Sequence, residues 1–109
     1  MNYSPPEQFA NVTLTCKANL YFDGRVVSHA VIFPDGSRKT LGLIYPGIYT
    51  FDTDASERME IIAGTCRVRV GGRPGWTGFP AGTWFAVTAN SSFEIEVAEG
   101  VAEYVCSYE

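Results

Sequence analysis

The sequence has very few of the residues that metal sites and disulfide frameworks require. His29 is the only histidine among 109 residues, so no site that needs two or three imidazoles can form within one chain. The cysteines, Cys16, Cys66 and Cys106, are odd in number and widely spaced, and none is in a CxxC pair. This argues against a disulfide framework or a structural zinc site. We interpret the cysteines as buried, unreactive thiols and His29 as a structural or surface residue.

Positive charge and long apolar runs are also scarce. The net charge is −4, and no Lys or Arg follows Arg73, which argues against nucleic-acid binding through a broad basic surface. No apolar run approaches the roughly 20 residues of a membrane-spanning helix, and the N-terminus lacks the basic start and apolar core of a signal peptide. We therefore expect a cytoplasmic protein that binds neither nucleic acid nor a membrane.

Short β-like runs separated by turn residues make up most of the chain. The length is sufficient for one domain, and a composition of 46% hydrophobic and 14% aromatic residues is typical of a folded one. The spacing of the runs predicts an all-β domain, preceded by a flexible, Pro-containing tail at residues 1–8. The predicted strands are 9–17, 25–33, 39–45, 48–51, 59–63, 65–70, 76–79, 83–87, 93–97 and 101–107.

Two segments resemble the metal-binding motifs of the cupin jelly roll. Glu57 lies seven residues before Gly64, as in the first cupin motif, and residues 80–82 resemble the start of the second. The positions at which a metal cupin has histidines are occupied here by Phe51, Thr53 and Phe85. Because a lone carboxylate is a poor transition-metal site, the resemblance implies a single cupin-type jelly roll or β-barrel over residues 9–109 without a metal or other cofactor.

A closer resemblance covers the chain from about Asn19 to Tyr108. It depends on short segments that occur in a fixed order: 21–26, 35–42, 46–53, 57–60, 85–87, 90–93 and 104–108. In these the sequence is similar to the small cupin-like family of pyrimidine/purine nucleoside phosphorylases, although Thr88 stands where members commonly have proline. The resemblance implies that a nucleoside and inorganic phosphate are converted to a free base and ribose 1-phosphate. It also implies a permissive base pocket, for purines and pyrimidines alike.

Arg38 and Lys39 are the candidate phosphate ligands. The planar guanidinium of Arg38 can form paired hydrogen bonds to an oxyanion and stays charged. Strand alternation sends adjacent side chains to opposite faces, so we expect only one of the two to face the pocket. Ser37 and Thr40 could add hydroxyl groups to the same anion. The alternative interpretation is a solvated hairpin.

Glu57 is the candidate that acts on the sugar. Its carboxylate could accept hydrogen bonds from the ribose hydroxyls and stabilise the positive charge that develops on the sugar; the alternative is a loop carboxylate paired with Arg58 or with solvent. We expect Arg38 and Glu57 to be the catalytic residues. Three rings could stack on the base, although at least one of them is expected to be ordinary core packing: Tyr49, Phe51 and Phe85. Thr53 and Ser92 are further candidates for polar contacts.

Three other functions are compatible with parts of the pattern. The first is a non-catalytic cupin-like module that binds a small ligand, because no Ser-His-Asp or Cys-His set is present; phosphorolysis needs none, since phosphate itself is the nucleophile. The second is a metal-dependent cupin enzyme, against which the histidine count argues. The third is a structural jelly roll that only oligomerises. An apolar C-terminal strand and the high aromatic content also suggest a homodimer formed through sheet edges.

Overall fold

The computed structural model describes residues 4–109, which form eleven β-strands and no helix. No segment of that range could therefore cross a membrane as a helix. The strands are β1 (Thr13–Leu14), β2 (Asn19–Tyr21), β3 (Val26–Ile32), β4 (Arg38–Ile44), β5 (Gly47–Asp52), β6 (Glu57–Ala63), β7 (Thr65–Val70), β8 (Thr77–Pro80), β9 (Trp84–Val87), β10 (Ser92–Val97) and β11 (Ala102–Tyr108).

The strands form two antiparallel sheets that enclose one apolar core. The larger sheet has seven strands in the order β1-β3-β4-β11-β6-β9, with β2 also paired to β3, and the smaller sheet has the order β5-β10-β7-β8. Buried side chains of both sheets meet in the core, for example Ile44, Ile61 and Ala102 from the larger and Ile95 and Val97 from the smaller. The all-β prediction is confirmed. Among the described residues, however, no strand pairing joins the two sheets, so they are not closed into the predicted barrel.

Most predicted strands lie within one or two residues of their observed bounds, and the differences are at the N-terminus. The predicted strand 9–17 is reduced to the two residues of β1. Strand β2 was not predicted because all three of its residues are exposed, so it has no alternating apolar pattern. Residues 4–8 contain no strand, and the first three residues of the predicted tail 1–8 lie outside the described part of the chain.

The register of the larger sheet arranges its inward-facing side chains in rows. Strand β11 lies between β4 and β6, with Cys106 opposite both Thr40 and Met59, and Tyr108 opposite Glu57. Side chains two residues apart on a strand share a face, so the inner face of β11 carries Tyr104, Cys106 and Tyr108 in succession. The row that contains Tyr108 and Glu57 lies at the edge of the core, where the candidate site begins.

Candidate active site

A cavity of about 250 Å³ opens between the two sheets at this edge. Three of the nine predicted site residues line it: Thr40, Phe51 and Glu57. The remaining lining residues come from seven strands and combine hydroxyl, thiol and carboxylate groups with apolar and aromatic ones: Tyr21, Val26, Ser28, Ile44, Asp52, Met59, Phe93, Tyr104, Cys106 and Tyr108. The cavity therefore offers both polar contacts and an apolar surface to a small organic molecule.

Glu57 lines this cavity, whereas Arg38 is exposed, is not a lining residue and lies beyond Tyr108 at the cavity edge. Glu57 pairs with Tyr108 across β6 and β11, and the guanidinium carbon of Arg38 lies 5.1 Å from the centre of the Tyr108 ring. Arg38 is on β4 and Glu57 on β6, and β11 lies between these two strands. Because neighbouring strands are about 4.8 Å apart, the backbones at Arg38 and Glu57 are about 10 Å apart. No carboxylate among residues 4–109 lies within ion-pair distance of Arg38, so the two catalytic candidates do not neutralise each other.

Burial raises the pKa of the Glu57 carboxyl. The thiol of Cys106 opposes this shift: its Sγ donates a hydrogen bond to Oε1 of Glu57 at 3.5 Å. The nearby charge of Asp54 raises the pKa further. Glu57 is thus a half-buried carboxylate with one protein donor, and its remaining lone pairs can accept hydrogen bonds from a ligand.

Thr40 and Tyr108 form the polar wall on the side of β4. Thr40 is buried, and its hydroxyl shares a hydrogen bond of 3.2 Å with the Tyr108 hydroxyl. Burial raises the pKa of Tyr108 to about 12, so the phenol stays protonated at neutral pH. The wall presents neutral hydroxyl groups beside the Arg38 guanidinium.

The structure separates Arg38 from Lys39. Arg38 shares the inner face of β4 with Thr40, whereas the Lys39 ammonium lies on the other face, 5.4 and 5.8 Å from the ring centres of Phe9 and Phe33. Lys39 is therefore not brought to the cavity. Ser37 is also held elsewhere, since its amide and hydroxyl both donate to the Asp35 carboxylate in the β3–β4 turn.

An aromatic wall faces these polar groups from the smaller sheet. The rings of Phe51 and Phe93 stack at 5.7 Å with an interplanar angle of 25°, within the range of favourable ring pairs. The β2–β3 turn extends across from the larger sheet, so that Tyr21 and Phe22 contact Phe51 edge-on at 6.1 and 5.4 Å. Phe51 lies at the centre of this wall and also lines the cavity, as the base-stacking prediction requires.

The other four predicted ligands have packing or turn contacts and lie outside the cavity lining. The Tyr49 hydroxyl donates to the carbonyls of Tyr45 and Pro46, at 2.8 and 2.9 Å. The Thr53 hydroxyl donates to the Thr88 carbonyl at 2.7 Å and accepts from the Ser91 amide. Phe85 packs in the core on Phe79 and Phe93, and the Ser92 carbonyl accepts from the Gly71 amide.

Three site residues on β11 were missed by the sequence interpretation: Tyr104, Cys106 and Tyr108. Residues 104–108 contribute to the family resemblance, and the period-two spacing of the three is a further signal, but neither indicates that they border a cavity. Tyr104 is buried directly over Gly42, where a Cβ atom would come within 2.4 Å of the ring. Glycine at this position of β4 therefore creates the space that the Tyr104 ring occupies at the inner end of the cavity.

The cysteines and His29 differ in their surroundings. Cys66 and Cys106 are buried, as expected, whereas Cys16 is exposed, so the interpretation of all three thiols as buried is wrong for Cys16. His29 Nδ1 lies 3.1 Å from the Thr15 carbonyl on the outer side of β3. Within residues 4–109 no group of three or more His, Cys, Asp or Glu side chains is arranged to hold a metal ion.

Sequence comparison identifies the family. The family model for pyrimidine/purine nucleoside phosphorylases matches residues 16–108. The chain belongs to this family. A relative named pyrimidine/purine nucleoside phosphorylase from Cupriavidus taiwanensis is 59% identical over 102 residues, which cover 94% of this chain and 96% of the relative. The protein of the same name from Methylobacillus flagellatus is 52% identical over 94% of this chain and 98% of its own length. The resemblance stated from the sequence is confirmed.

Solved structures extend the comparison to the fold. A protein of unknown function from Acinetobacter sp. ADP1 is 48% identical and superimposes with a TM-score of 0.91, covering 94% of this chain and 98% of that one. The structure of FeII HppE superimposes with a TM-score of 0.73 over 85% of this chain and 55% of its own, at 10% identity. The EutQ protein of Clostridium difficile gives 0.64 over 76% and 67%, at 15% identity. These last two cupin-like neighbours share the fold alone.

Proposed function

We propose that the chain is a nucleoside phosphorylase of broad base specificity and that the cavity between the sheets is its active site. The activity is the one that the names of its relatives carry. The observation that supports the site is the inward row of Arg38, Tyr108 and Glu57 across the cavity mouth, facing an aromatic wall. A cavity of about 250 Å³ is close to the lower end of the roughly 300–1,000 Å³ of known ligand pockets, which suits a nucleoside.

Phosphate is proposed to bind at the Arg38 end of the row. The guanidinium is exposed and has no carboxylate partner among the described residues, so its paired N–H donors are available to an oxyanion. The Tyr108 and Thr40 hydroxyls lie next to it. Lys39 plays no part in this proposal because it lies on the opposite face of β4.

The sugar is proposed to lie against Glu57, and the base against Phe51 and Phe93. A phosphate oxygen attacks the anomeric carbon as the bond from this carbon to the base nitrogen breaks. The electron pair of that bond stays on the base nitrogen, which takes up one proton, and the phosphate gives up one proton as it becomes the ester. The ionised Glu57 carboxylate stabilises the positive charge that the sugar carries in the transition state. Stacking against rings tolerates either class of base, since every base has a π face.

Phosphate-dependent release of hypoxanthine from inosine and of uracil from uridine tests this proposal. We expect Arg38→Ala and Glu57→Ala each to lower kcat/KM about 100-fold or more, because removing one group that stabilises a developing charge costs this much in other enzymes. Exposed residues of the same types are the matched controls, and Arg73→Ala and Glu99→Ala should keep the wild-type rate. Near wild-type rates for both site variants would refute the assignment, and cleavage without phosphate would refute the reaction.

We also propose a homodimer, formed through the outer face of the seven-stranded sheet. The C-terminal strand cannot supply a free edge for the expected pairing through sheet edges, because β11 is paired on both sides. The outer face carries instead an apolar groove of about 340 Å³ beside residues 6–9. Sedimentation equilibrium should give twice the mass of the chain for the wild type and a lower mass for Leu43→Glu, whose side chain lines this groove. A wild-type monomer at micromolar concentration contradicts the proposal.

A further inference from the structure

Cys106 lies at the floor of the cavity, and the proposed reaction gives it no role. Its side chain is 2% exposed, so it is inaccessible to bulk solvent. Its Sγ nevertheless lies 3.5 Å from Oε1 of Glu57, within the usual range for a hydrogen bond to sulfur. The contact follows from the register: Tyr108 is directly opposite Glu57, and Cys106 is two residues back on the same face, which makes it the diagonal neighbour of the carboxylate.

The Cys106 thiol is a permanent donor in this position. Burial, reinforced by the charge of Glu57, raises the pKa of the thiol to about 12. The sulfur therefore keeps its proton at neutral pH and donates it to the carboxylate. A hydrogen bond to the ionised form favours that form and lowers the pKa of the acid, against the burial that raises it.

Five other titratable or charged groups lie around Glu57 on the elements that border this part of the cavity. Tyr108 and, deeper in the cavity, Tyr104 are on β11. Asp54 is in the loop before β6, Asp52 is on β5, and Arg38 on β4 lies beyond Tyr108. Asp54 makes ionisation of Glu57 harder. Cys106 is the neighbour whose hydrogen bond makes it easier. The same hydrogen bond occupies one of the two carboxylate oxygens, and the other is available to a ligand.

We propose that Cys106 is a positioning residue for phosphorolysis, whose thiol holds the Glu57 carboxylate ionised and oriented toward the ribose. This inference rests on the proposed function for its catalytic consequence. Its structural part, the control of Glu57 by the thiol, is independent of any substrate. The two parts can therefore fail separately.

Replacing the thiol by a methyl group and by a hydroxyl separates positioning from packing. Cys106→Ala removes the donor, and we expect kcat for inosine to fall about tenfold at pH 6, as the loss of one hydrogen bond to a charged group predicts. We expect KM for phosphate to stay unchanged and the acidic limb of the pH profile to move to higher pH. Cys106→Ser keeps a donor and should recover activity to within about twofold, with the acidic limb at or below its wild-type position.

Carboxyl ¹³C NMR of Glu57 gives a readout without substrate. The pKa of Glu57 should rise in Cys106→Ala and fall to or below the wild-type value in Cys106→Ser. Cys66→Ala is the matched control: Cys66 is also buried, but its thiol bonds to the Phe79 carbonyl, so the same loss of packing should leave the Glu57 titration unmoved. If Cys106→Ala does not fold, Cys106→Ser decides alone: its hydroxyl still donates to the carboxylate, so a Glu57 pKa above the wild-type value overturns the inference.

A Glu57 pKa that does not rise in a folded Cys106→Ala protein, or that rises in Cys106→Ser, overturns the inference, as does a Cys106→Ser enzyme no more active than Cys106→Ala. A wild-type protein that does not cleave inosine with phosphate overturns the proposed function instead. In that case the NMR titration still tests whether the thiol controls the carboxylate.

Discussion

Arginine and glutamate side chains occur in two regions of this molecule in opposite arrangements. On the outer face of the smaller sheet, β7 and β10 carry cross-strand ion pairs, Arg67 with Glu96 and Arg69 with Glu94. At the cavity mouth of the larger sheet, Arg38 and Glu57 lie two strands apart with Tyr108 between them. The first arrangement satisfies its charges internally, whereas the second leaves them available to a ligand.

Tyrosine and tryptophan reinforce this difference. Both guanidiniums of the outer ladder lie 4.8 Å from the centre of the Trp76 ring, so the ladder also anchors the segment that leads into β8. Arg38 likewise lies over an aromatic ring, that of Tyr108, but this ring lines a cavity. The same residue types therefore stabilise the fold in one region and form a binding surface in the other.

The largest expected difference between the two regions is in the effect of replacing a glutamate by glutamine on activity and stability. Glu57→Gln should lower kcat/KM about 100-fold yet raise the melting temperature at neutral pH by a few degrees, because functional groups are often held at a cost in stability. Glu94→Gln should leave activity unchanged and lower stability by less than about 1 kcal/mol, the usual value of an exposed ion pair. Steady-state kinetics and thermal unfolding measure the two effects.

The pH dependence fixes the sign of the Glu57 effect. Because the folded state raises the pKa of Glu57, the native protein binds this proton more tightly than the unfolded chain does. The stability that the group contributes is complete below the ordinary pKa of glutamate and is lost as the pH rises through the raised value. The gain from Glu57→Gln should therefore appear only above this window; an equal gain at pH 3 would show that it has another cause.

Much of the fold could be predicted from the sequence, and less of the site. Alternation of apolar and polar residues located nearly every strand, and the spacing of Glu57 and Gly64 singled out Glu57, which lines the cavity. Alternation could not decide whether Arg38 or Lys39 faces the cavity. It places the two side chains on opposite faces of the strand, but it does not show which face is the inner one. That choice depends on the pairing of β4 with β11, which joins residues about 65 positions apart.

Aromatic residues were the least predictable part of the site for a related reason. Tyr49, Phe51 and Phe85 all face the interior, but only Phe51 lies at the cavity edge. A ring at a cavity edge and a ring in a packed core have the same local sequence pattern. Tyr108 and Tyr104 were missed because their partners, Thr40 and Gly42, lie on a strand that is distant in sequence.

The smallest expected effect on catalysis is that of removing the aromatic contact of the outer ladder. Trp76→Ala removes the ring shared by the two guanidiniums, and each such contact is worth about 0.5–1 kcal/mol at an exposed site. We expect a loss of about 1–2 kcal/mol in the free energy of unfolding, measured by urea denaturation, with kcat/KM for inosine unchanged.

The matched change at the cavity is Tyr108→Ala, which also removes a ring beneath a guanidinium but should lower activity because this ring separates the proposed phosphate and sugar subsites. If Trp76→Ala impaired catalysis as much as Tyr108→Ala does, the two regions would not be independent, and the division between a structural ladder and a binding row would have to be abandoned.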